Sequence, residues 1–513
     1  MLAAIRSAAI FGIDAYDVCV EIDVAQGLPH WTIVGLPAGE VKESRERVSA
    51  ALANSGFTLP PRRITVSLSP GDLRKVGTGF DLPIAVGLLV ATGVLSPASV
   101  DGLTFIGELG LDGEIRGVRG VLSVARHLAA TRNNVRGLVV PPANVNEAGL
   151  VRSLRLSAST SLSLLAEALR AGTLPLVAPA ARTGQEPDDA DFADVVGQTS
   201  AKRALEIAAA GAHACLLIGP PGAGKTMLAR RLPSILPPLT EDEALEVTAI
   251  HSVAGLLPSA GARLSARPFR APHHSISSAG LVGGGGVPRP GEVSLAHHGV
   301  LFLDEFPEFS PQALDALRQP LETGECVIAR ANHRVSYPAA IQLVAAMNPC
   351  RCGMAGEPGH TCARGPRCVS DYQGRISGPL LDRIDIRIDV PAVSAADLIR
   401  PTTAEKSADV ALRVARARER QRERFESAGM KGIVTNARCS TAMIETIAEP
   451  DAAGLQLLRD AAEKMKFSAR GYHRILKVAR TLADLDDKPT VGRIHLAEAI
   501  SYRIAGERLT AAA

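Results

Sequence analysis

Gly219-Pro220-Pro221-Gly222-Ala223-Gly224-Lys225-Thr226 decides the reading of this chain, because it has the G-x-x-x-x-G-K-T spacing of a phosphate-binding loop. The apolar run Ala214 to Ile218 before it predicts a buried parallel strand, and Met227 to Leu232 after it predict the first turns of a helix. That is the context the motif needs. Glycines let backbone N–H groups close around phosphates, and a helix N-terminus adds partial positive charge. Lys225 can reach the β- and γ-phosphates, and the Thr226 hydroxyl can ligate Mg²⁺. The stretch implies binding of a nucleoside triphosphate with its metal.

Four further stretches extend the site. Val300-Leu-Phe-Leu-Asp304-Glu305 predicts a central strand delivering two carboxylates to its C-terminal end, where ligands bind in parallel sheets. Asp304 can hold Mg²⁺, and Glu305 can polarise an attacking water. Asn348 follows the strand-like Ile341 to Val344 and can orient that water or sense the γ-phosphate. Arg383, near the start of another apolar strand, can stabilise transition-state charge on a neighbouring subunit's nucleotide, which implies a ring or filament. Arg470 and Arg474 lie one turn apart on a helix opening near Phe467, and either can touch phosphate.

With 513 residues, the chain has room for about three domains. No apolar run reaches the ~18 residues of a membrane span. The start, with Asp14, Asp17, Glu21 and Asp23, lacks a signal peptide's apolar core. A cytoplasmic protein without membrane contact is expected. The net charge of +3 neither demands nor excludes nucleic acid, so any basic footprint is local. Residues 1–170 read as a separate α/β domain, with strands at Val18–Val24 and Ile64–Leu68 and helices at Glu40–Ala53 and Asp81–Val94. Residues 171–191 read as a linker, 192–395 as the nucleotide-binding core and 396–513 as a helical lid.

Two insertions interrupt that core. Residues 240–299 are dense in glycine and proline toward their end and predict a projecting loop or hairpin. Within it, His273/His274 and His297/His298 are adjacent pairs. On a strand such neighbours face opposite ways, so phosphate contact or packing is expected there rather than a shared metal. In residues 350–368, Cys350, Cys352, Cys362 and Cys368 can form a tetrahedral Zn²⁺ site, with His360 as a possible substitute ligand; the alternative is a reduced surface loop. Cys326 to Ser336 reads as strand, polar turn, strand. Arg413 to Arg424 is an arginine-rich helix that could follow a phosphate backbone, although a solvated face is the expected reading.

The front domain resembles the catalytic domain of Lon-type proteases through Gly77 to Leu89 and Phe105 to Arg116. Matching the segments puts Gly79 near the serine position and Leu122 near the lysine position, so an inactive relative is implied, used for assembly or nucleic-acid contact. The rest carries the signature set of an AAA+ ATPase. Arg267 to His274, Pro288 to Glu305, Ala346 to Cys350 and Gly378 to Asp385 closely resemble the magnesium-chelatase-like ATPases of the YifB/ComM group. The resemblance implies an α/β AAA+ phosphate-loop core with a C-terminal helical lid behind a Lon-like α+β domain. It implies an ATP- and Mg²⁺-dependent homo-hexameric DNA motor of helicase or branch-migration type, acting in recombination and integration of transforming DNA.

By that carry-over, Gly219 to Thr226 and Asp304 bind nucleotide and metal. Glu305 is catalytic, Asn348 the first sensor, Arg383 the arginine finger and Arg470 the second sensor. In related helicases the hairpin before the sensor strand lines the pore, so Arg330, His333 and Arg334 are the implied DNA contacts. The alternative is a protein-remodelling motor, of magnesium-chelatase or Lon-unfoldase type.

Overall fold

The computed structural model describes the chain apart from Met1 and residues 132–135, 179–189, 258–262, 287, 331–332, 354, 356–361, 363–365, 394–403, 431, 466 and 505–513. Most of the expected linker and His360 therefore lie outside the described residues. The chain divides into two compact units. One comprises residues 1–185, 240–265 and 331–335, the other residues 186–239, 266–330 and 336–513.

The first unit is built on a seven-stranded mixed sheet, in the order 30–34, 63–69, 14–25, 2–11, 103–105, 137–140, 156–158. Leu2–Phe11 and Asp14–Ala25 form a long antiparallel hairpin whose last pair, Phe11 with Asp14, leaves two turn residues, and Gly12 supplies the positive φ the turn needs. Sequence reading did not identify the first of these strands, because alanine-rich text is not strand-like and only pairing with 14–25 makes it so. Helix Asp81–Ala91 is buried along its whole length against both strands. The charged stretch after Gly39 forms two helices, Gly39–Lys42 and Ser44–Asn54, rather than one. Arg47 from the second of them makes a bidentate pair with Asp81 at 2.7 and 3.0 Å.

Residues 240–265 also belong to this unit, although they sit between the two nucleotide signatures in sequence. They form helix Glu241–Ala254, opened by a Thr240/Glu243 capping box and closed by Gly255 in the left-handed conformation. The Ser252 hydroxyl donates to the buried Glu147 carboxylate, which also accepts from the Leu122 N–H at 2.8 Å and the Asn144 amide at 2.9 Å. Leu122 is fully buried, and the Ser123 hydroxyl donates to the Ile13 carbonyl at 2.6 Å. Of the positions matched to a protease dyad, Leu122 is a core side chain, and at Gly79 a Cβ would fall 3.2 Å from Ile106 Cγ1.

The second unit centres on a five-stranded parallel sheet ordered 269–270, 300–303, 342–347, 215–218, 386–389. Strands 215–218, 300–303 and 342–347 are short, fully buried runs, as a sheet covered on both faces requires, whereas the edge strand 386–389 is Ile-Arg-Ile-Asp and only partly buried. One correction concerns the insertion at 240–299. Besides a short antiparallel pair, Gly283–Gly284 with Arg289–Pro290, which fits the hairpin alternative, it contains the sheet's outermost strand, Phe269–Arg270, and two short helices, Ser278–Val282 and Glu292–Leu295. The C-terminal helices Ser407–Ser427, Ala469–Leu485 and Arg493–Ile504 share one apolar core with this sheet, Val414, Phe425, Leu482 and Leu496 clustering with Leu205, Leu217 and Val344.

The arginines of helix Ser407–Ser427 are largely spent on that packing. Arg413 pairs with Glu206 at 2.5 Å, Arg418 donates twice to the Ala209 carbonyl, and Arg424 pairs with the buried Asp484. The helix therefore does not present a continuous phosphate track. Strands Glu325–Arg330 and His333–Pro338 form the expected two-stranded hairpin, with Arg334 exposed. The side chains of Arg330 and His333 lie outside the described residues.

Candidate active site

Strand Cys215–Ile218 is a central strand of the sheet, and the phosphate loop leaves its C-terminal end to enter helix Lys225–Ile235. Gly224 caps that helix at φ +87°, and a Cβ there would meet nothing within 4 Å. The space beside Gly224 is thus open, and its positive φ is one that glycine adopts without strain. Lys225, nearly buried, donates to the Gly219 and Pro220 carbonyls at 2.7 and 2.8 Å and to Asn348 Oδ1 at 3.1 Å. Burial pulls its ammonium below the usual lysine range, against the opposing pull of Asp304.

Parallel pairing brings the other signatures to the same edge of the sheet. Strand Val300–Leu303 ends in Asp304, whose Oδ2 accepts from the Thr226 hydroxyl at 2.8 Å. A hydroxyl and a carboxylate so placed are the hard oxygen donors Mg²⁺ prefers, so the residues present fit that ion. Glu305 stands at φ +51°, ψ +45°, a left-handed conformation that costs a non-glycine residue roughly 1–2 kcal/mol. Its N–H donates to Asp304 Oδ1 at 2.9 Å, and its exposed carboxylate lies 3.2 Å from His274 Nδ1. Thr226, Arg230, Pro272, His274, Asp304 and Glu305 line one cavity of about 290 Å³.

His274 and Arg230 were not assigned to this site from sequence. Arg230 could have been, since it lies one helical turn beyond Thr226 and shares its face. For the paired histidines the opposite-face premise fails, although His273 and His274 both line this cavity, in keeping with the expected phosphate contact. The rings of His273 and His274 lie together, centroids 4.1 Å apart, and those of His297 and His298 are 3.9 Å apart. Neither pair is in a strand, and His298 turns back at φ +55°, so the opposite-face rule does not apply.

Arg383 and Arg470 are elsewhere. With His473, Arg474 and Lys477 they line a separate cavity of about 200 Å³ that contains no phosphate-loop residue. Arg383 pairs with Glu322 and donates to the Pro379 carbonyl at 2.7 Å, and its buried Nε has no partner among the described residues. Arg474 is committed to the buried Asp385 and to the Arg383 carbonyl, whereas Arg470 is exposed. Burial alone would raise the Asp385 carboxyl, but Arg474 and His213 outweigh it and hold the group well below the usual carboxylate range.

The four clustered cysteines come together as well. Cys350, Cys352, Cys362 and Cys368 have their sulfurs within 4.8 Å of one another.

Comparison with known proteins fits this geometry. Residues 191–398 match the family described as magnesium chelatase, subunit ChlI; residues 404–503 match its C-terminal family and residues 20–144 a further ChlI subunit family. The chain is 43% identical over 509 residues to the competence protein ComM of Haemophilus influenzae, covering 98% of this chain and 97% of that one. It is 41% identical over 514 residues to the uncharacterized protein YifB of Escherichia coli, with the same coverage of each chain. A shorter match, 34% over 143 residues, links 26% of this chain to 25% of Lon protease 2 of Bacillus subtilis.

Proposed function

The chain belongs to the magnesium-chelatase-like AAA+ family of YifB and ComM, and from that premise we propose that it is an ATP-driven homo-hexameric motor acting on DNA. The observation that carries the reading is the division of the candidate catalytic groups between two cavities. Lys225, Thr226, Asp304, Glu305 and Asn348 gather at the phosphate loop, while Arg383 and Arg470 line a pocket apart from it. Groups so divided form one catalytic site when the arginine cavity of one subunit meets the phosphate loop of the next, as in a ring.

In that site Lys225 turns its ammonium to the β- and γ-phosphates, and Thr226 and Asp304 would hold Mg²⁺, which would supply charge neutralisation on the triphosphate. Glu305 orients the attacking water and takes up its proton, and Asn348 fixes the γ-phosphate's far side. Arg383 from the neighbouring subunit stabilises charge on the transferred group. Arg330, His333 and Arg334 sit around the end of the hairpin, where a pore-facing segment would track a phosphate backbone. The competence protein among the relatives supports a competence-related setting, and with it DNA as the polymer.

The test is ATP hydrolysis and strand displacement with single-stranded, duplex and branched DNA. DNA-stimulated turnover with displacement of a branched substrate is expected. Stimulation by an unfolded protein and not by DNA would move the reading to a protein-remodelling motor. Among the described residues, no helix is long and apolar enough to cross a membrane.

A further inference from the structure

All four cysteines of the 350–368 segment are free thiols, with Cys350 Sγ 3.0 Å from Cys352 Sγ and Cys352 Sγ 3.3 Å from Cys362 Sγ. Four sulfurs around a tetrahedral zinc, at Zn–S of about 2.3 Å, stand roughly 3.8 Å apart, which these spacings and the 4.8 Å limit bracket. Among the described residues, the apolar cluster at this point comprises Cys350, Cys368 and Val369, with Ala355 and Cys362 packed on it. Among the described residues that cluster consists mostly of the thiols themselves, and a metal on them is the usual staple where so little apolar surface is gathered.

The cluster also abuts the nucleotide pocket. Cys350 follows Asn348 by two residues, and Asn348 Oδ1 accepts from Lys225. Gly353 donates to the Cys350 carbonyl at 2.9 Å, stands at φ +82°, and packs on the phosphate loop so closely that a Cβ would fall 2.6 Å from Pro221 Cδ. On the other side, Cys368 lies in helix Pro366–Gln373, and Gln373 Nε2 donates to the Pro349 carbonyl at 3.1 Å. A single ion on the four sulfurs would tie that helix to the turn carrying both Asn348 and the contact to Pro221.

We infer that Cys350, Cys352, Cys362 and Cys368 bind one Zn²⁺ as thiolates, releasing their protons on binding, and that this ion positions Asn348 and the phosphate loop for hydrolysis. The positioning half rests on the nucleotide-site reading; the zinc half does not. Full-length protein purified without added metal should contain about one zinc per chain by elemental mass spectrometry, with no visible iron–sulfur absorbance. Cys352→Ser and Cys362→Ser should each lose the ion and raise hydrogen exchange across 345–375 while the first unit keeps its protection. With Asn348 displaced by about 1 Å, kcat should fall ~10- to 100-fold while ATP still binds.

Gly353→Ala should retain zinc yet lower kcat, because its Cβ pushes Pro221. Should the serine variants fail to fold, stripping zinc from the wild-type protein with a strong chelator and restoring it reads the same loss and recovery. Zinc well below one per chain, or a zinc-free protein with unchanged exchange and kcat, would overturn the inference. Wild-type kcat in Gly353→Ala would overturn the coupling to the phosphate loop. Zinc content and exchange are read without nucleotide, so they decide the metal site even where ATP is not the substrate.

Discussion

Arg383→Ala separates catalysis from folding. The Arg383 side chain is 11% exposed and its ion-pair partner Glu322 is 53% exposed, so the orphaned carboxylate regains water and the lost pair is worth about 1 kcal/mol or less. The fold should survive. In catalysis an arginine finger is worth ~10³-fold or more, about 4 kcal/mol of transition-state stabilisation. ATP should bind nearly as before, measured by a fluorescent analogue, and turn over at a thousandth of the rate or less. Mixing with Lys225→Ala subunits tests whether the arginine acts in trans. A productive interface needs the intact pocket of an Arg383→Ala subunit beside the intact arginine of a Lys225→Ala subunit. Random assembly of equal amounts makes about a quarter of the interfaces productive, which caps the recovery at about that fraction of wild-type turnover. Recovery should grow with protein concentration. An Arg383→Ala protein that is fully active as a dilute monomer would refute the reasoning.

The other predictions concern the pocket and its support. Lys225→Ala should abolish turnover with the fold intact, whereas Glu305→Gln should retain bound, unhydrolysed ATP; normal steady-state hydrolysis in either removes the site assignment. His274→Ala should lower kcat about tenfold with little change in KM, because Glu305 loses the side chain that holds its carboxylate, while His274→Asn retains more activity. Asp385 has a folded pKa below its unfolded value of about 3.9, so its contribution to stability is present above that value and fades as pH falls through the folded one. Asp385→Asn should therefore be markedly less stable than wild type at pH 7, with the gap in denaturant midpoint narrowing below about pH 4; a gap independent of pH would contradict the assignment.

The candidate nucleotide site was legible as a cluster because its residues are written locally. Gly219 to Thr226 and Val300 to Glu305 each carry strand, turn and ligand in one stretch. Neighbouring strands in a parallel sheet then bring Thr226 and Asp304 together. What sequence reading missed depends on partners far along the chain. Leu2–Phe11 is a strand because Asp14–Ala25 pairs with it, and helix Glu241–Ala254 joins the first unit through Ser252 and Glu147. The arginines at 413–424 resembled a phosphate track until Glu206, Ala209 and Asp484 accounted for most of them. His274 reaches Glu305 through a loop whose path no periodicity encodes.

The most direct test of the central claim is the ATPase rate of the purified full-length protein at increasing concentrations of a branched DNA substrate, with strand displacement followed in the same reaction. The account predicts turnover that rises severalfold and saturates with DNA, accompanied by displacement that Lys225→Ala lacks. ATP hydrolysis indifferent to DNA, with no strand displaced at any protein concentration, would contradict it.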